Sequence, residues 1–177
     1  RFLAWLSPLI VLNFFFSYSQ SSTYSKTLDL DGSSSFIEIP SSSELNFNSN
    51  FTLEAWIKVE TSPVLGSKDY IFRKKNNWSL SVKNDGGSLY FNGRFRRTHH
   101  GNWPEIRSSQ TISTGRWYHV TFTNSVSNGR MRLYINGSLD NSVNWSTGGR
   151  EITSWTNPVG VGASIWNGTS NPTNFFD

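Results

Sequence analysis

The densest chemistry in this chain lies in Arg94-Phe95-Arg96-Arg97-Thr98-His99-His100-Gly101-Asn102-Trp103. Within ten positions it gathers guanidinium forks, imidazoles, a carboxamide and an indole. A guanidinium pairs a carboxylate or sulfate through two parallel hydrogen bonds, an amide or imidazole bonds hydroxyls, and an indole stacks on the C–H face of a pyranose. Arg96, Arg97, His99, Asn102 and Trp103 are therefore the candidate ligand-binding residues, and an acidic polysaccharide is the ligand such a set would suit. The competing interpretation is a solvated loop with ordinary surface arginines. His99 and His100 are poorly placed to share one metal ion, because neighbours on an extended chain point apart.

A second constellation is Asp29 and Asp31. Two apart on an extended chain, their carboxylates leave from one face while Leu28 and Leu30 turn to the core. Followed by Gly32, they are hard oxygen ligands of the kind calcium takes, so Asp31 and Asp29 are the candidate metal ligands. Asp31 has an alternative role as the cap of a tight turn into Gly32.

Catalytic patterns are missing. A glycosidase needs two carboxyl groups facing each other across the sugar, and the twelve acidic residues are scattered, with Asp29 and Asp31 the only pair two apart. There is no Gly-x-Ser-x-Gly elbow, no Gly-x-x-x-x-Gly-Lys phosphate loop and no His-Glu-x-x-His. With no Cys, thiol nucleophiles, zinc fingers and disulfide frameworks are excluded. No catalytic residue is assigned.

Charge is concentrated rather than abundant. Between Arg73 and Arg107 eight Lys and Arg side chains stand against Asp85 and Glu105, although the whole chain carries only +4. That modest total makes nucleic acid a poorer partner than a glycan.

The elements that must hold these residues are strands. Charged residues are only 16% of the chain and aromatic ones 15%, a composition unlike helical bundles, coiled coils or disordered segments. Alternation of apolar and polar residues predicts strands at 27–30, 36–39, 51–58, 70–73, 78–82, 89–91, 110–112, 117–123, 131–135 and 158–162. Asn92-Gly93 and Asn136-Gly137 read as two-residue hairpins, and Asp85-Gly86-Gly87 and Asn128-Gly129 as looser turns. Residues 41–46 read as one short helical turn capped by Ser. The fold class is all-β, an antiparallel two-sheet jelly-roll sandwich. Trp56, Trp78 and Trp117 are assigned to packing, whereas Trp103, Trp145, Trp155 and Trp166 fall in loops, where they either cap the sandwich or bind ligand.

Residues 1–19 form an apolar block behind Arg1 with small residues before Gln20, the layout of a signal peptide. Their apolar run falls short of the ~20 residues that span a bilayer. The expected organisation is a signal peptide at 1–19, a linker at 20–26 and one domain at 27–177, with the product secreted or at the cell surface.

Four blocks carry a resemblance. Leu28-Asp29-Leu30-Asp31-Gly32, with Phe36-Ile37-Glu38-Ile39-Pro40 behind it, resembles the opening of a laminin-G-like, concanavalin A-like jelly-roll domain. Phe51-Thr52-Leu53-Glu54-Ala55-Trp56-Ile57-Lys58, Gly115-Arg116-Trp117-Tyr118-His119-Val120-Thr121-Phe122 and Met131-Arg132-Leu133-Tyr134-Ile135-Asn136-Gly137 follow in that family's order. The resemblance implies a non-catalytic extracellular carbohydrate-binding or adhesion module acting beside other domains of the same chain. It also implies calcium near the first strand, helped by an acid in a closing strand reading roughly Gly-x-Ile-Asp-Glu-Val. The sequence stops at Phe175-Phe176-Asp177, so that strand and further modules are expected beyond it. The alternative on the same architecture is a glycoside hydrolase or polysaccharide lyase, or an accessory domain of one.

Overall fold

The computed structural model describes residues 27–47, 49–97, 103–145, 156–165 and 172–177. Its strands are β1 (Ile37–Ile39), β2 (Phe51–Lys58), β3 (Lys68–Lys74), β4 (Trp78–Asp85), β5 (Ser88–Phe95), β6 (Glu105–Arg107), β7 (Trp117–Ser125), β8 (Arg130–Ile135), β9 (Ser138–Asn144) and β10 (Val159–Val161). A 3-10 turn at Ser43–Leu45 occupies the expected helical stretch, with Ser42 at its N-cap position but no side-chain cap bond. The strands form two antiparallel sheets, six-stranded in the order β1-β10-β3-β4-β5-β6 and four-stranded in the order β2-β7-β8-β9. The sandwich is thus the two-sheet jelly roll that the alternation predicted.

Alternation along each strand sends one set of side chains between the sheets. Trp78, Leu80, Val82, Phe91 and Phe95 come from one sheet, and Phe51, Leu53, Val120, Phe122, Met131 and Leu133 from the other. Phe122 meets Phe51 edge-on with centroids 5.7 Å apart, and Phe91 meets Tyr118 likewise at 5.8 Å. Edge-to-face contacts of this kind place the positive rim of one ring on the negative face of the next.

Several expectations need correction. Residues 27–30 form no strand and Leu28 is 58% exposed, because this segment pairs with no strand among the described residues. Asn92-Gly93 is no hairpin; it lies inside β5. Glycine is needed there because a Cβ on Gly93 would lie 2.6 Å from the Phe122 ring, not because a turn demands positive φ. At Asn136-Gly137 the hairpin does form, with φ of 51° and 79°. The stretch 110–112 makes only an isolated bridge, Ile112 to Leu89, while β6 and β9 lie outside the predicted strands. β9 reads Ser-Leu-Asp-Asn-Ser-Val-Asn and has too few apolar residues to alternate.

Trp56 and Trp117 are not packed. They lie on the outer face of the four-stranded sheet, 67% and 48% exposed. Trp56 rests on His119 at 5.2 Å and Lys58 Nζ lies 6.0 Å from the Trp117 ring. A concavity of about 540 Å³ opens beside them, walled by Leu30, Ala55, Ile57 and Phe72. Trp78 is in the core as expected, and Trp145 caps it, edge-on to Phe95 at 5.0 Å with Nε1 donating to Asn124 Oδ1 at 3.1 Å. Trp155 and Trp166 lie outside the described residues, as do the expected signal peptide and the linker.

Candidate functional site

Of the basic residues in the central segment, Arg73, Lys83, Arg94 and Arg107 share the outer face of the six-stranded sheet. Trp78, Leu80 and Val82 of β4 point inward, so Ser79, Ser81 and Lys83 point outward. Strand register then builds rows across the sheet: Arg73, Ser79, Arg94 and Glu105 in one, Tyr70, Ser81, Asn92 and Arg107 in the next, and Lys68, Lys83 and Tyr90 beyond. A break in register between Tyr70 and Phe72 inserts one residue into β3. Without it, Arg73, three residues after Tyr70, would point into the core; the bulge returns it to the face that Tyr70 occupies.

Each of three arginines on this face lies over an aromatic ring. Arg73 Cζ is 4.3 Å from the Tyr70 centroid, Arg94 Cζ 4.2 Å from Trp103, and Arg107 Cζ 4.2 Å from Tyr90. Arg96 approaches the Trp103 ring at 5.8 Å. Stacking fixes the plane of a guanidinium and leaves its N–H edge available for an anion.

The carboxylates on this face are already engaged. Lys68 Nζ donates to Glu105 Oε2 at 2.9 Å and to Asn92 Oδ1 at 2.8 Å, bridging over β4. Asp85 pairs with Arg107 and, at 3.8 Å, with Lys83. Among the described residues no carboxylate forms an ion pair with Arg73 or Arg94. Burial pushes the Arg73 guanidinium below its usual pKa; Tyr70 opposes this and the neighbouring Arg94 charge adds to it. Burial also lowers the Lys68 amine; the Glu105 hydrogen bond and charge oppose this, and the charges of Arg94 and Lys83 add to it. For Glu105 burial alone would raise the carboxyl, but Lys68, Asn92 and Arg94 together bring it below the usual carboxylate value.

Of the residues singled out in the sequence, Trp103 is half-buried at the edge of this face, stacked by Arg94 and approached by Arg96. Arg97 is only 4% exposed, and its guanidinium lies 5.3 Å from the Trp145 ring. Arg97, Trp103 and Trp145 line a groove of about 390 Å³ with Met131 and Val143. His99 and Asn102 lie outside the described residues. Tyr70, Arg73, Ser79, Asn92 and Arg94 are not among the ligand residues that the sequence suggests. Their signal is the charge excess between Arg73 and Arg107, which lacks the register that sorts it by face.

At Asp31, Oδ1 accepts the backbone N–H groups of Ser33, Ser34 and Ser35 at 2.9, 2.7 and 2.8 Å, and Oδ2 accepts the Ser34 hydroxyl. These bonds hold its carboxyl well below the usual range and make it the cap of the turn at Gly32, where φ is 63°. Asp29 is exposed and outside any strand. No group of three or more His, Cys, Asp or Glu that could hold a metal ion occurs among the described residues.

Two antiparallel sheets in this order, packed over a continuous core, define a jelly roll of the concanavalin A-like class. The chain belongs to the concanavalin A-like lectin/glucanases superfamily, a laminin-G-type family model of which matches residues 31–176. Among curated proteins, none matches the sequence. Among solved structures, the chain is similar to the binding domain of Paraclostridial Mosquitocidal Protein 1, at 25% identity and TM-score 0.58, covering 80% of this chain and 35% of that one. It is also similar to a protein from Bacteroides ovatus described as carbohydrate binding, at 21% identity and TM-score 0.59, covering 85% of this chain and 42% of that one. A third is the CBM40 of the Ruminococcus gnavus IT-sialidase bound to α2,3 sialyllactose, at 12% identity and TM-score 0.54, covering 81% of this chain and 84% of that one. The chain thus spans less than half the length of the first two.

Proposed function

We propose that this chain is a non-catalytic glycan-binding module that lays an acidic polysaccharide along the outer face of the six-stranded sheet and works outside the cell. The observation that carries this reading is the gathering on that face of three guanidinium–aromatic stacks over a floor of buried polar side chains, Ser79, Ser81 and Asn92. Guanidinium forks held flat on rings are what the acid groups of a charged polysaccharide pair with. The likeness to a binding domain at 25% identity supports binding rather than catalysis. The module bound to sialyllactose shares this fold at 12% identity, which supports a sugar as the ligand.

On this face hydrolysis is disfavoured by the state of the carboxylates. A glycosidase needs two of them across the scissile bond with roles of their own, and here Glu105 and Asp85 are held by Lys68, Arg107 and Lys83. Arrays of neutral, carboxylated and sulfated oligosaccharides, read at two ionic strengths and followed for product release, test the proposal. The expected result is retention of charged glycans that weakens as salt rises, with every ligand recovered intact. A folded protein that retains no glycan would overturn the binding reading, and accumulating cleavage products would replace it with an enzyme.

A further inference from the structure

We infer that Arg73 and Arg94 form a single anion-reading subsite, which receives a carboxylate or sulfate carried on the bound sugar from both sides of Ser79. The inference rests on the glycan-binding reading and says which residues sense charge.

Both arginines are direct cross-strand partners of Ser79, one on β3 and one on β5. Adjacent strands lie ~4.8 Å apart, so the two backbones stand roughly 10 Å from each other, with one short side chain between two long ones. Ser79, only 3% exposed, forms the floor between them, and an anion seated over it would meet both forks. Each fork is held by its own ring, Arg73 by Tyr70 and Arg94 by Trp103, so little rotamer freedom remains to be lost on binding.

The ion-pair pattern separates these two arginines from the rest of the face. Arg107 is stacked in the same way but is paired with Asp85, and Lys68 with Glu105. Arg73 and Arg94 have a ring beneath them and no carboxylate within ion-pair distance among the described residues, Glu105 acting on Arg94 only as a longer-range charge from the next strand, and Arg73 stands half-buried in the field of Arg94. Like charges so placed repel, and a bridging anion removes the repulsion and gains charge-assisted bonds. The candidates drawn from the loop are less suited to this work: Arg97 is buried against Trp145, and Arg96 is the more distant of the two cations at Trp103.

The test is calorimetric titration of the whole chain with matched neutral, uronic-acid-containing and sulfated oligosaccharides. Wild type is compared with Arg73→Gln, Arg94→Gln, Arg94→Lys and, as a control outside the subsite, Arg107→Gln. Each Gln variant of the subsite should lose about tenfold in affinity for the charged ligands while neutral ligands change by less than about twofold. Arg94→Lys should recover part of the loss, since charge returns without the fork. Arg107→Gln should lose much less, because that fork is already occupied. Comparison of the carboxylated and sulfated arms identifies which anion the sugar carries. If wild type binds charged glycans and both Gln variants, melting like wild type, bind them equally well, the subsite is wrong while the glycan-binding reading stands. If wild type binds no glycan, that reading falls and the subsite with it. If duplex DNA competes as well as charged glycans, the face is a general polyanion surface and the subsite is overturned.

Discussion

Lys74, at the inner end of β3, shows what tertiary packing can impose on a single side chain. It is fully buried, its Nζ donates to Ser41 Oγ at 3.2 Å, and burial lowers its pKa. Its bulge-shifted register with Trp78 turns it inward, whereas Arg73, one residue before, faces out. One hydroxyl is poor compensation for a desolvated ammonium. Lys74→Met keeps the length and apolar stem and removes the charge, so it should stabilise the fold by about 1 kcal/mol, read as a higher denaturant midpoint at unchanged m value. A lower midpoint would show that the ammonium is better satisfied than the Ser41 bond alone suggests. The same residue-level logic separates Trp145, whose indole N–H is bonded inside the core, from Trp56 and Trp117, whose rings stand outside it.

At the scale of the strand, β5 shows how closely the two sheets approach. Gly93 pairs with Leu80 and Ile106 on the strand next to the edge of the six-stranded sheet, and the Phe122 ring from the opposite sheet fills the space a side chain would take. Gly93→Ala should therefore cost ~1 to 3 kcal/mol through overpacking, since Phe122 is fully buried and has nowhere to retreat. In a double-mutant cycle, Phe122→Leu should cost less in the Gly93→Ala background than alone, because the smaller side chain relieves the clash. Strict additivity would mean that the strands move apart instead. The β3 bulge has the opposite character, since it opens the pairing to aim a side chain. It lets Tyr70 and Arg73 share a face, and so creates half of the proposed subsite.

At the scale of the whole molecule, residues 172–177 lie against β3 and the segment after β2. Glu60 N–H donates to the Asp177 carbonyl at 3.0 Å, Thr61 Oγ1 to Asp177 Oδ2 at 2.7 Å, and Tyr70 N–H to the Asn174 carbonyl at 3.2 Å. Burial first, and the Asp177 charge second, push the Asp69 carboxyl up to about 6. An acid with a raised folded pKa binds its proton more tightly in the native state, so its contribution to stability falls as pH rises from 3.8 towards 6. Asp69→Asn should flatten that part of the stability profile and be more stable than wild type at pH 7, with the two converging near pH 4. Parallel profiles would show that Asp69 does not titrate in this window.

The amino-acid sequence by itself determined the class of fold, because alternation of side chains is a local property that each strand carries whatever its neighbours. Phe51, Leu53 and Ile57 announce β2, and Asn136-Gly137 announces the β8–β9 hairpin, without knowledge of any partner. It also showed that cations gather between Arg73 and Arg107 and that Trp103 lies beside them. Only the tertiary structure decided which of those cations share a surface. That depends on register between strands distant in sequence and on one inserted residue in β3, neither of which leaves a periodic trace. The same holds for Asn92-Gly93, whose turn-like composition yields to the approach of a ring from the other sheet, and for Trp56 and Trp117, whose exposure depends on whether anything covers their face. Local pattern sets which side of a strand a residue takes, and long-range pairing sets what it meets there.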